Sequence, residues 1–152
     1  MAPRGLSHLE VTVRDLGRSL SFYRDLLGMR VFQEGNEQDA ARGVDYSGIY
    51  ERPDGSYGYA MLSQGADAPV IVLIAPDDPT GTSIKIDQVG ITHFGIWVDG
   101  LDAVYDDLRA KGVEFMVPPH ELMSTPAGVV RSAFCVDPDG IIVQLDEMSA
   151  DG

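Results

Sequence analysis

Residues 6–13, LSHLEVTV, and residues 91–98, ITHFGIWV, read as one strand written twice. Each alternates its side chains between two faces, and His8 and His93 hold the same place in the two copies. The segment after each strand repeats as well. Beyond the first strand, Asp15 is placed to cap a helix whose apolar stripe is Leu16, Leu20, Tyr23 and Leu27, and Gly28 stops it. Beyond the second, Leu101, Val104 and Leu108 make the stripe and Gly112 closes the helix.

Strand-like runs divided by Gly, Pro and Asp complete each copy. In the first they are Met29 to Glu34, Gly43 to Tyr50, Tyr57 to Leu62 and Val70 to Ile74; in the second, Val113 to Val117, Val129 to Val136 and Ile141 to Asp146. Asp137-Pro138-Asp139-Gly140 signals a hairpin, because Pro presets one turn residue and Gly accepts a positive φ at another. The fold class is therefore α+β, two βαβββ modules at about 5–76 and about 90–147 with a linker at about 77–89. A sheet with one helix leaves its other face uncovered, so the modules are expected to pair into one domain over 1–152, an open, cleft-like barrel with function on inward-facing strand residues.

The 152 residues, 44% hydrophobic and 23% charged, suit one globular domain. Lys and Arg number 11 against 24 Asp and Glu, a formal net charge of -13, which argues against nucleic acid and anionic membrane surfaces as partners. The single cysteine, Cys135, excludes an intrachain disulfide framework and reads as a buried thiol. No apolar run reaches signal-peptide or membrane-spanning length, so a cytoplasmic location is expected.

Two histidines at equivalent strand positions facing one cleft are a start for a metal site, since neutral imidazole is a common ligand. A third ligand is expected from the last strand, IIVQLDE, where Ile142, Gln144 and Asp146 share a face. Gln144 is polar amid apolar neighbours, either a hydrogen-bonding lining group or a ligand through its carbonyl oxygen. Glu10 shares the face of His8 and is read as ligand or general base, with Arg131 as a basic neighbour in the cleft. His120 lies in an expected loop, Pro118 to Pro126, and is read as an inert surface group or as an acid/base or substrate contact, with Arg131 as a further substrate contact. Tyr57 and Tyr59 share a face, as do Trp97 and His93; all are taken as pocket-lining.

The stretches GLSHLEVTVRDLGRSLSFYRDLLGM, ITHFGIWVDGLDAVYDDLRAKGV and FCVDPDGIIVQLDE resemble the vicinal oxygen chelate superfamily, which includes glyoxalase I, methylmalonyl-CoA epimerase, extradiol dioxygenases, fosfomycin-resistance enzymes and bleomycin-binding proteins. The resemblance implies a glyoxalase-like fold and metal ligands at His8, His93 and Gln144, the last standing where Glu is usual, with Val72 at the corresponding position of the first module. It implies one divalent ion (Fe, Mn, Zn, Ni or Co), a small oxygenated substrate and a homodimer. Isomerase, epimerase or lyase chemistry through a developing oxyanion, with Glu10 moving the proton, is the expected reaction. Extradiol dioxygenation and metal-free, bleomycin-resistance-like sequestration are the alternatives.

Overall fold

The computed structural model describes residues 5–38, 48–49, 55–66 and 70–149, and the chain divides into two compact units, Met1–Gly81 and Thr82–Gly152. Unit 1 contains β1 (His8–Thr12), α1 (Leu16–Leu20) running into a wider helical turn at Ser21–Leu26, β2 (Arg30–Gln38), β3 (Ser56–Ser63) and β4 (Val70–Pro76). Unit 2 repeats the order with β5 (His93–Trp97), α2 (Leu101–Ala110), β6 (Phe115–Thr125), β7 (Gly128–Val136) and β8 (Ile142–Ser149). The α+β class holds. The expected run Gly43 to Tyr50 falls outside the described residues except for a turn at 48–49.

Each unit carries a four-stranded mixed sheet, β1-β4-β3-β2 in unit 1 and β5-β8-β7-β6 in unit 2. The first strand pairs parallel with the last, His8 beside Val70 and His93 beside Ile142, while the remaining pairs are antiparallel. Strand alternation then sorts the residues. In unit 1, Val11, Ala60, Leu62, Ile71 and Leu73 are buried on the side that carries α1, which rests on β3 and β4. In unit 2, Ile96, Ala133, Cys135, Val143 and Leu145 are buried beneath α2.

Asp15 caps α1 by accepting from the backbone N–H of Arg18 at 2.7 Å. The helix then widens, with Leu27 N–H donating to the carbonyl five residues back at Phe22, 3.0 Å. That widening departs from the regular stripe expected, and it turns both Phe22 and Tyr23 inward, edge to face at 5.0 Å. Leu16 and Leu27, at the ends of the expected stripe, are only half-buried. α2 starts on Gly100, which has no side chain to cap with; the Oε1 of Glu147 on β8 accepts from Gly100 N (2.9 Å) and Leu101 N (3.3 Å) instead.

The hairpin between β7 and β8 forms as expected. Asp137 is buried and its Oδ1 accepts from Asp139 N at 2.8 Å and Ile141 N at 2.9 Å, while Gly140 takes a φ of 81°. The segment expected as a loop over Pro118 to Pro126 is mostly strand: β6 runs to Thr125. Pro118 and Pro119 are tolerated because β6 is the edge of its sheet and its pairing with β7 slips between Val117 and His120.

Candidate functional site

In unit 1 the face away from α1 forms a pocket of about 430 Å³. Its floor is apolar: Tyr57, Val72 and Ile74 are buried together, with Val70, Met61 and Tyr59 against them. β1 contributes His8 and Glu10 to one wall, and β2 contributes Gln33 and Glu37 to the other. Tyr59 lies across Gly35, where a Cβ would come within 3.2 Å of its ring, and its hydroxyl accepts from Gln33 Nε2 at 3.0 Å. Gly35 is what allows the ring to lie flat there.

In unit 2 the corresponding face is polar. Gln144 Nε2 donates to Asp146 Oδ1 at 2.7 Å and to Ser132 Oγ at 3.3 Å, and the Ser132 hydroxyl donates to the same carboxylate oxygen. These bonds fix the amide's orientation, because the reverse would set its carbonyl oxygen against the carboxylate. The Oε1 of Gln144 is thereby turned away from Asp146. Room for the carboxylate comes from Gly95, whose Cβ would lie 2.8 Å from Asp146 Oδ2. Phe134, in register with Gln144, has an imidazole on either side: His93 edge-on and His120 stacked, each with centroids 6.1 Å away.

The two repeat histidines share a local arrangement. His8 Nδ1 is bonded to Ser7 Oγ at 3.0 Å and His93 Nδ1 to Thr92 Oγ1 at 2.9 Å. A hydroxyl on Nδ1 orients the ring and leaves Nε2 as the nitrogen for another partner. Two imidazoles and an amide carbonyl are chemically a nitrogen and oxygen donor set suited to a divalent transition ion. Among the described residues no group of three His, Cys, Asp or Glu side chains is placed to hold a metal, so the set read from the sequence depends on the amide.

His8 and Glu10 lie on the unit 1 face with Tyr57 and Tyr59, as alternation required. His93, Trp97 and Gln144 lie on the corresponding face of unit 2, with Trp97 in register with Asp146 and 60% exposed. His120, expected in a loop, is instead on β6 opposite Ser132, and its Nδ1 donates to Pro118 O at 3.0 Å. Arg131 is corrected as a partner for Glu10. It sits on the α2 side, where Nη1 and Nη2 donate to both oxygens of Asp102 at 2.8 and 2.9 Å and Nη1 reaches Glu147 at 3.3 Å.

The hydrogen bond from Arg131 holds the Asp102 carboxyl below its ordinary range, and the guanidinium is raised in turn. Burial pushes the Cys135 thiol up to about 12, away from nucleophilic chemistry. Ser132 and Phe134 are the site residues that sequence reasoning missed. The signal for Ser132 was the one that flagged Gln144, a polar residue inside an apolar strand, here GVVRSAFCV. No helix among the described residues is long and apolar enough to cross a membrane.

Known proteins share this architecture. The chain is similar to a probable lactoylglutathione lyase of Synechocystis sp., 28% identical over 145 residues that cover 95% of this chain and 96% of that protein. A Leishmania major glyoxalase I, described as trypanothione-dependent, is 26% identical with a TM-score of 0.61, over 94% of this chain and 86% of that one. A glyoxalase family protein of Bacillus cereus, 17% identical, shares the fold with a TM-score of 0.76 over 97% of this chain and 96% of that one. Residues 5–145 match the family described as Glyoxalase/Bleomycin resistance protein/Dioxygenase superfamily, and the chain belongs to that superfamily.

Proposed function

We propose that the protein is a divalent-metal-dependent lyase or isomerase acting on a small oxygenated metabolite. The observation that carries this reading is the fixed amide: Asp146 and Ser132 hold Gln144 Nε2, so that Oε1 is the atom left to present. The donors proposed for the ion are Nε2 of His8 in unit 1 and, in unit 2, Nε2 of His93 and Oε1 of Gln144. Asp146 supplies, one hydrogen bond away, the negative charge that a carboxylate ligand would have supplied directly. When bound, the ion supplies Lewis acidity. Glu10, exposed on the face of His8, is the proposed proton acceptor, and Tyr57 and Tyr59 hold the apolar part of the substrate. His120 and Trp97 are proposed as further substrate contacts.

The names of relatives support lyase chemistry. The glutathione moiety in those names is not carried over, because its carboxylates would meet Glu10 on a wall of the unit 1 pocket. We further propose a homodimer, supported by the edge strand β6 with its exposed Met116, Val117, Leu122 and Met123.

Metal analysis of the purified protein tests the reaction class. Stoichiometric Fe, Mn, Zn, Ni or Co that disappears in both His8→Ala and His93→Ala is the expected result. Metal-free protein that still binds a small molecule with unchanged affinity in both variants overturns it in favour of sequestration, the reading that the apolar floor of unit 1 favours.

A further inference from the structure

We propose that the Tyr59 hydroxyl is a hydrogen-bond donor for a neutral carbonyl oxygen, so that the unit 1 pocket takes an apolar molecule bearing a ketone, ester or amide. This deepens the reading above by naming a substrate class, and rests on it in so far as that reaction uses this pocket; the binding itself needs no ion.

A bulge in β2 brings Gln33 to Tyr59. Val31 is beside Leu62, which is buried on the α1 side of the sheet, so unbroken alternation would put Phe32 beside Met61 on the pocket face and return Gln33 to the helix side. The register slips between Val31 and Gln33 instead, and Gln33 becomes the residue beside Met61. Phe32 and Gln33 consequently both line the pocket. Gly35, beside Tyr59, completes the arrangement, since a Cβ there would come within 3.2 Å of the phenol oxygen.

A phenol has one hydrogen to donate and an oxygen that accepts. Gln33 Nε2 donates to that oxygen at 3.0 Å, and no acceptor among the described residues takes the hydrogen. The hydroxyl is thus left with its donor function unspent, and a hydroxyl whose oxygen already accepts a bond donates more strongly. It belongs to a half-buried side chain packed against the buried apolar cluster of Tyr57, Val72 and Ile74, where an acceptor oxygen on the ligand gains more than it would at an open surface. A neutral acceptor suits the pocket better than a carboxylate. Glu10 lines the wall opposite Gln33, and the net charge of -13 repels an anion.

The register also sets the reach. Glu10, Val72, Met61 and Gln33 make one row across the sheet, three strand spacings or about 14 Å between the outer backbones. A molecule whose reacting end lies by His8 and Glu10 therefore meets Tyr59 with its far end. The pocket volume of about 430 Å³ is within the range for a small organic ligand.

Nuclear magnetic resonance titration of chelator-treated, full-length protein tests this with acetophenone and α-methylstyrene, which differ only in a carbonyl oxygen replaced by a methylene. Tyr59→Phe should weaken acetophenone by about threefold to tenfold and leave α-methylstyrene within about twofold. Gln33→Glu should weaken acetophenone as much, because a carboxylate only accepts and so captures the phenol hydrogen. Gln33→Leu leaves that hydrogen free and should retain the affinity for acetophenone relative to α-methylstyrene. Benzoate should bind the wild type more weakly than acetophenone does. An equal change for both probes in Tyr59→Phe, wild-type affinity for acetophenone in Gln33→Glu, loss of its relative affinity in Gln33→Leu, tighter binding of benzoate, or no binding of either neutral probe at millimolar concentration each overturn it. Since the ion has been removed, failure here leaves the metal analysis standing, and failure of the metal analysis leaves this result standing.

Discussion

The Ser132, Gln144 and Asp146 network makes a quantitative prediction about coupling. Removing the carboxylate in Asp146→Ala takes away the acceptor of two hydrogen bonds, from Gln144 Nε2 at 2.7 Å and from the fully buried Ser132 hydroxyl. Gln144 is half-exposed and recovers part of its loss through water, whereas Ser132 is left without an acceptor, so the expected cost is about 2 to 3 kcal/mol. Ser132→Ala costs less, about 1 kcal/mol, because Asp146 keeps Gln144. In the double variant no buried hydroxyl is stranded, so its cost should fall below that of Asp146→Ala alone. The coupling energy is then more than about 1 kcal/mol, well outside the few tenths expected of independent sites. Urea unfolding at neutral pH measures it, with the single tryptophan, Trp97, as a reporter of unit 2, since it is in register with Asp146 on β5. Additivity within about 0.5 kcal/mol would refute the network. Asp146→Asn tests its charge: the amide oxygen can still accept from Gln144 Nε2 and Ser132 Oγ while the negative charge is lost, so metal occupancy should fall while stability suffers less than in Asp146→Ala. Wild-type occupancy in Asp146→Asn would show that the charge of Asp146 has no bearing on the metal.

Other expectations rest on single side chains. Glu147→Ala removes the cap of α2 and one partner of Arg131 and should cost about 1 to 2 kcal/mol in the same unfolding assay, more than Asp102→Asn does, since the side chain of Asp102 is 68% exposed and that of Glu147 is 22% exposed. The Asp102 carboxyl is held below its ordinary 3.8. Its contribution is therefore complete above that value and lost as pH falls through the lower folded value, so the stability gap between wild type and Asp102→Asn should be flat at neutral pH and close in acid. Ser19 Oγ is buried without a hydrogen-bond partner; Ser19→Ala should stabilise the chain by about 1 kcal/mol, and a destabilisation would mean that a partner exists in solution. With its thiol pushed up to about 12, Cys135 should resist a thiol reagent at pH 8 (about the mildly basic range where free cysteines react) until denaturant is added.

The fold was legible because the two features that define it are local. Alternation in LSHLEVTV and ITHFGIWV and the helix boundaries at Asp15, Gly28 and Gly112 depend on neighbours in sequence, and each survived folding. What escaped depended on tertiary context. Pro118 and Pro119 signal a loop to any local reading, and only the position of β6 at the sheet edge lets a strand run through them. Arg131 was expected in the cleft, yet one step of the β7 alternation puts it on the helix side, where Asp102 and Glu147 hold it. The site was half-legible for the same reason: His8, His93, Glu10 and Gln144 announce themselves by residue type, whereas Ser132 matters only through the partner that the β7 and β8 register brings beside it.

Register also explains how a repeated module came to carry two kinds of chemistry. Val72 and Gln144 occupy the same place beside the first strand, Ile74 and Asp146 the next, and Tyr59 and Ser132 the place across from those. All three members of the unit 2 polar network therefore have counterparts in unit 1, and there they are Val, Ile and Tyr. Glu10 and Gly95 are likewise equivalent, and the exchange is reciprocal. A glycine at 95 makes room for Asp146 to fold over it, whereas Ile74 makes no such demand, and a carboxylate can stand on β1 at position 10. Converting one module's face to the other's cannot proceed by one residue at a time. A Gln at 72 alone would place an unpaired amide on an apolar floor, and a Val at 144 alone would take from Asp146 one of its two donors. That mutual dependence separates an apolar face in unit 1 from a hydrogen-bonded polar face in unit 2. Substitution of all three unit 2 positions together should cost less than the sum of the single costs, because the loss of Asp146 alone strands the Ser132 hydroxyl that the combined change removes.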